Sequence, residues 1–104
     1  MKRGDVWWAK LPPPAGRRPV VLVSRNEAYR VRELAIVVPV TTRARGIPVE
    51  VPLGAEEGLP RPSVANADTI TTIPRACLVE YAGTLSVEKQ RALEGALRFA
   101  LGME

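Results

Sequence analysis

The stretch that decides the fold is Pro19-Val20-Val21-Leu22-Val23-Ser24. It is a short, unbroken apolar run rich in β-branched residues, the pattern of a strand buried on both faces. A second run of the same kind, Leu34-Ala35-Ile36-Val37-Val38-Pro39-Val40, follows after a polar connection over 25–32. Upstream, Asp5 to Leu11 (DVWWAKL) is aromatic and β-branched, and reads as a strand. The segment 11–16 (LPPPAG) cannot continue it, because three prolines remove the ladder donors. Downstream, Ile47 to Leu53 alternates, 54–62 carries two Gly and two Pro and reads as a loop, and Ser63 to Ile73 and Cys77 to Thr84 read as further strands.

The one convincing helix is Val87 to Leu101, with Ser86 as N-cap, Glu88 in the first turn and Gly102 past the end. Leu93, Ala96, Leu97, Ala100 and Leu101 form its apolar face. Gly95 inside it costs roughly 1 kcal/mol against Ala, unless close packing requires it. Five or six short strands followed by one helix imply a mainly β protein, a small barrel with an appended helix, in a single domain over residues 1–104. Pro39, inside a strand, requires an edge or a bulge there, and bulges often lie beside active sites.

The net charge is +4, and 12 of the 15 cationic residues are arginine. Arginine offers a planar fork of donors that matches phosphate, which favours a polyanionic partner, while a high-GC or thermophilic source would enrich Arg and Pro equally well. A single cysteine, Cys77, excludes a disulfide within the chain and fits a reducing compartment. Histidine is absent, which removes His-based acid–base pairs, triads and zinc sites. No stretch reaches the ~20 apolar residues of a membrane span, and Lys2-Arg3 is followed by Gly-Asp rather than by an apolar run. A cytoplasmic protein without a membrane partner is expected.

Three ordered blocks carry a family resemblance. They are Arg3-Gly4-Asp5-Val6-Trp7-Trp8, then Gly16-Arg17-Arg18-Pro19-Val20-Val21-Leu22-Val23-Ser24, then Ala35-Ile36-Val37-Val38-Pro39-Val40-Thr41-Thr42. With later segments at Ser63-Val64, Asp68-Thr69-Ile70 and 78–85, the chain resembles the MazF/PemK family of type II toxins over nearly its whole length. The resemblance implies an SH3-like barrel of the CcdB/MazF kind, a homodimer, and cleavage of single-stranded RNA at short sequences. It further implies 2′,3′-cyclic phosphate and 5′-hydroxyl ends, and neutralisation by a small acidic antitoxin. The family's catalytic Arg before Pro and its strand-end Thr or Ser fall on Arg18 and Thr41. The chain departs from the family pattern in its short, proline-rich 11–16 loop, at Thr69, where Gln is common, and at Cys77, where Arg is common.

Attack by an RNA 2′-hydroxyl on the adjacent phosphorus needs in-line positioning, charge stabilisation and the management of two protons. None of these demands a metal or other cofactor, and the sequence offers no clustered metal ligands. Arg18 suits a bidentate grip on the scissile phosphate, and Thr41 suits a hydroxyl donor to a non-bridging oxygen. Arg17, Thr42 and Arg43, with Arg45, would extend the cationic path along the RNA backbone. Asp68 and Thr69 are candidate RNA contacts. The plainer alternatives are a surface ion pair for Arg18, turn chemistry for Thr41 and Asp68, and a small buried residue for Cys77. Trp7 and Trp8 face opposite sides of a strand, one to the core and the other either to a dimer or RNA surface or to the core from a bend. Three competing functions are a CcdB-like inhibitor of gyrase, a non-catalytic basic barrel that binds nucleic acid, and a degenerate toxin that binds antitoxin without cutting.

Overall fold

The computed structural model describes residues 1–103. Its strands are β1 (Asp5–Lys10), β2 (Arg17–Leu22), β3 (Leu34–Thr41), β4 (Glu50–Leu53), β5 (Ser63–Asn66), β6 (Thr71–Pro74) and β7 (Leu78–Thr84). The helices are α1 (Ala28–Val31) and α2 (Val87–Ala100). Antiparallel pairing runs β4-β5-β3-β2-β1-β7, and β6 adds to β3 beside β5. The result is a curled six-strand path closed off by α2, the barrel-with-helix architecture expected.

The run at β2 is apolar throughout because both faces of the sheet are covered there. Val21 and Val23 belong to the main core, with Val6, Val38, Val40, Val51 and Leu93. Val20 and Leu22 belong to a second cluster on the opposite face, with Ala9, Tyr29, Val37 and Leu78. The lid over that second face comes partly from α1, a single helical turn within the polar connection over 25–32. Tyr29 on it is buried, and its hydroxyl donates to Ser24 O at 3.3 Å. Its mixed composition hides the turn, since only Ala28 and Tyr29 reach the core.

The expected strand Ser63 to Ile73 is two strands, β5 and β6, separated by a 3-10 turn at Ala67–Thr69. The turn is built by side chains. Asn66 Oδ1 accepts from Asp68 N at 2.9 Å, and Thr69 Oγ1 donates to Asn66 O at 2.8 Å. Asn and Thr compete with the ladder for backbone partners, so they break the strand here.

The same break accommodates Pro39. Ile36 N donates to Ser24 Oγ and Ile36 O accepts from Val23 N, so its backbone points toward the β2 side. Alternation directs residue 39 the other way. On that side β6 pairing ends at Val37 and β5 pairing begins at Val40. The proline therefore stands at a local edge, where its missing N–H costs no ladder bond.

Ser86 caps α2, accepting from Lys89 N at 3.1 Å. Leu93 and Ala96 are buried, while Leu101 lies past the helix and is exposed, contrary to the face expected. A Cβ at Gly95 would meet nothing within 4 Å, so no packing constraint requires that glycine. Close approach is real elsewhere. Gly58 has φ +79° and a Cβ there would lie 2.0 Å from Ala82 O, which presses the 54–62 loop onto β7. That loop is held from inside by Glu57, whose side chain accepts from Gly54 N at 2.7 Å and from Lys89 Nζ at 2.9 Å.

Candidate functional site

Arg18 and Thr41 come from adjacent strands. The β2–β3 register pairs Val20 with Pro39. Carried two residues further, past the last ladder pair, it sets Arg18 across from Thr41, on one face of the sheet. Both residues line two clefts that meet at this point. The first, of about 660 Å³, is bounded by Trp8, Arg17, Leu59 and Arg61. The second, of about 520 Å³, is bounded by Pro39, Arg45, Asn66 and Thr69. Arg18, Thr41 and Arg43 are common to both. Among the described residues no carboxylate, imidazole or thiol lines either cleft.

The donors at this junction are available. Arg18 Nε donates to Ala15 O at 3.2 Å, which anchors the side chain to the proline loop. That loop is closed by Leu11 N donating to Gly16 O at 2.9 Å. Among the described residues the terminal nitrogens of Arg18 have no partner, and Arg18, Arg43, Arg45 and Arg61 form no ion pair. Thr41 Oγ1 accepts from Arg43 N at 3.2 Å, so its own hydrogen stays uncommitted. The turn chemistry weighed for Thr41 is therefore present, and it leaves the hydroxyl free to donate to an anion.

The other expected contacts divide. Thr42 lines the first cleft and Thr69 the second. Asp68 is exposed on the Ala67–Thr69 turn and lines neither, and its backbone N–H makes the turn bond already described. Arg17 pairs with Glu80 and lies over the Trp8 ring, its Cζ 5.0 Å from the centroid. It is thus a neutralised cation rather than a free one. Cys77 lies on a 3-10 turn before β7, packed against the second core cluster. Trp7 packs on the second cluster and makes an edge contact with Tyr81, with ring centroids 6.0 Å apart. Trp8 touches the main core and opens onto the first cleft.

Arg61, Asn66 and Glu50 were not singled out from the sequence. Arg61 arrives through the long 54–62 loop, Asn66 through the strand break. Glu50 orders the loop after Thr41, its carboxylate accepting from Arg45 N at 2.9 Å and Gly46 N at 2.8 Å. Desolvation pushes the Glu50 carboxyl up, but the backbone N–H groups of Arg45, Ile47 and Gly46, aided by the Arg45 charge, hold it below its ordinary value. A carboxylate three to five residues after the backbone N–H groups of the loop was the available signal.

A small curled barrel with two cationic, carboxylate-free clefts meeting at an Arg–Thr junction defines a basic module built for a polyanionic strand. The chain belongs to the PemK-like, MazF-like toxin family of type II toxin–antitoxin systems, whose model matches residues 2–101. It is 39% identical over 100 residues to the probable endoribonuclease MazF5 of Mycobacterium tuberculosis, an alignment covering 95% of this chain and 91% of that protein. Among solved structures it is similar to the M. tuberculosis toxin MazF-mt6, with TM-score 0.89 and 32% identity over 96% of this chain and 98% of the other. It is also similar to a mycobacterial endoribonuclease solved in complex with its cognate antitoxin, with TM-score 0.87 and 31% identity over 100% and 97%. No described helix is long and apolar enough to cross a membrane.

Proposed function

We propose that this chain is the endoribonuclease toxin of a type II toxin–antitoxin pair, cutting single-stranded RNA without a metal ion at the junction of Arg18 and Thr41. The observation that carries the reading is that Arg18, Thr41 and Arg43 are shared by both clefts. A strand laid from one cleft to the other passes its phosphate over these three side chains. The 2′-hydroxyl attacks phosphorus and releases its proton to solvent water, the bond to the 5′-oxygen breaks, and that oxygen gains a proton. Arg18 stabilises charge on the phosphoryl oxygens and can hand a proton to the leaving oxygen. Thr41 donates its free hydrogen to a non-bridging oxygen. Pre-set donors of this kind act most strongly where charge develops. Arg17, Thr42, Arg43 and Thr69 line the path. Asp68 stands beside it on the Ala67–Thr69 turn, within reach of a base that leaves the second cleft.

The protein acts as a cytoplasmic homodimer. Exposed apolar side chains at Phe99, Leu101 and Met103 leave surface for a partner subunit. An acidic antitoxin segment competes with RNA for the unpaired cations of the clefts, as a disordered chain can by folding on contact. The test is incubation with RNA alone in excess EDTA, with analysis of the ends. Cleavage with 2′,3′-cyclic phosphate and 5′-hydroxyl products is expected, and a 2′-deoxy nucleotide 5′ to the scissile phosphate should block it. Loss of all activity on chelation, or 5′-phosphate ends, would refute the mechanism.

A further inference from the structure

We infer that Arg17, Trp8 and Glu80 form a stacking platform for a nucleobase next to the scissile phosphate, and that Arg17 is not a phosphate ligand. The inference rests on the nuclease reading above. Trp8 is the cross-strand partner of Glu80 on β7 and of Pro19 on β2, so one ring stands between a carboxylate and the strand that carries Arg17. Arg17 lies over that ring and spends its Nη2 on Glu80 Oε1. Its charge is cancelled by the carboxylate, while its half-exposed flat surface and the Trp8 ring both belong to the first cleft. Arg18 is the opposite case, with free terminal nitrogens and no counter-charge. Consecutive strand residues project to opposite faces, yet Arg17 and Arg18 stand at the very start of β2 and both line the first cleft. One nucleotide therefore meets a phosphate donor at Arg18 and a planar surface at Arg17. Bases stack on aromatic rings and on guanidinium planes with little regard to identity. The platform thus demands a base at that position without dictating which one.

The experiment places an abasic nucleotide, one position at a time, on either side of the mapped cleavage site of an RNA oligonucleotide. At one position wild-type protein should lose about 5- to 100-fold in kcat/KM, the range expected for one stacked base. Arg17→Lys keeps the charge and removes the plane. It should lose a similar factor on intact RNA, and the abasic change should then cost less than about twofold more, because the two losses share one interaction. Glu80→Gln, which keeps a hydrogen-bond acceptor, should fall between wild type and Arg17→Lys. In a Trp7→Phe background, Trp8 fluorescence should respond to a non-cleavable 2′-deoxy strand with the base and not to its abasic counterpart. An abasic penalty that survives Arg17→Lys, or no penalty at any position, would overturn the platform while leaving the nuclease intact. Wild-type protein that cuts no RNA would overturn both.

Discussion

Replacing Lys89 with Met removes the charged partner of the most deeply buried carboxylate among the described residues. Glu57 is 1% exposed, and its two recorded partners are Lys89 Nζ at 2.9 Å and Gly54 N at 2.7 Å. Breaking a buried ion pair from one side typically costs about 3–5 kcal/mol, because the remaining charge stays desolvated. Two features reduce that here. The Lys89 side chain is 29% exposed, so water reaches the vacated position, and the Gly54 N–H still stabilises one oxygen. About 2–3 kcal/mol is expected, or a fall in Tm of roughly 10–20 °C for a domain of this size. Urea unfolding of wild type, Lys89→Met, Glu57→Gln and the double variant measures it. Gln keeps the acceptor for Gly54 and carries no charge, so the double variant should be more stable than the sum of the single losses allows, by at least about 1 kcal/mol. The loop carrying Glu57 also delivers Leu59, Pro60 and Arg61 to the first cleft, so Lys89→Met should weaken RNA binding as well. A Lys89→Met protein within about 0.5 kcal/mol of wild type, with additive double-variant behaviour, would refute this account of the clasp.

Arg18→Lys should be folded but slower by on the order of 10²–10³, and Thr41→Val should lose rate with little loss of stability. The double variant should lose less than the product of the single losses, Arg25→Ala should retain most activity, and wild-type rates for both single variants would move the site elsewhere. Desolvation raises the Asp5 carboxyl, but bonds from Lys2 and Thr84 outweigh it and hold its pKa below the usual 3.8. The depressed pKa makes its contribution full above about pH 4 and lost as pH falls through the folded value. Wild type should therefore lose stability in acid more steeply than Asp5→Asn, and parallel Tm–pH curves would count against it. Gly95→Ala should stabilise by about 0.5–1 kcal/mol, since helix propensity rises and a Cβ there meets open space; a loss of stability in urea would contradict that. Sedimentation at micromolar concentration should give a dimer burying at least ~1,000 Å², and a monomer would count against the oligomeric reading.

The strands and the long helix were legible because their signals are local. A run such as Val20 to Val23 has no polar face to offer solvent, Ser86 advertises a helix start, and three prolines end β1 wherever the chain goes next. The blocks around Arg18 and Thr41 identified the family for the same reason, since Arg-Pro after a proline-rich loop and Thr after an apolar strand are patterns within ten residues. The break between β5 and β6 and the single turn of α1 were less visible. Each depends on two or three side chains finding backbone partners, as Asn66 and Thr69 do, amid residues that fit a strand or a loop equally well.

What the sequence by itself determined is the sheet, the terminal helix and the cationic character, because periodicity, capping and charge act over a few residues; the pair Arg18–Thr41 rests on the family resemblance and is a proposed site. Only the tertiary structure decided which arginines remain free. Arg17 and Arg18 lie side by side in the sequence, yet Glu80, 63 positions from Arg17, pairs with one, while among the described residues no carboxylate pairs with the other. It likewise decided that Arg61 lines the first cleft and Asn66 the second, and that Asp68 stays outside both. Such assignments depend on pairings between strands far apart in the chain, and a carboxylate's effect on a guanidinium is set by the few ångströms between them, not by their separation in sequence.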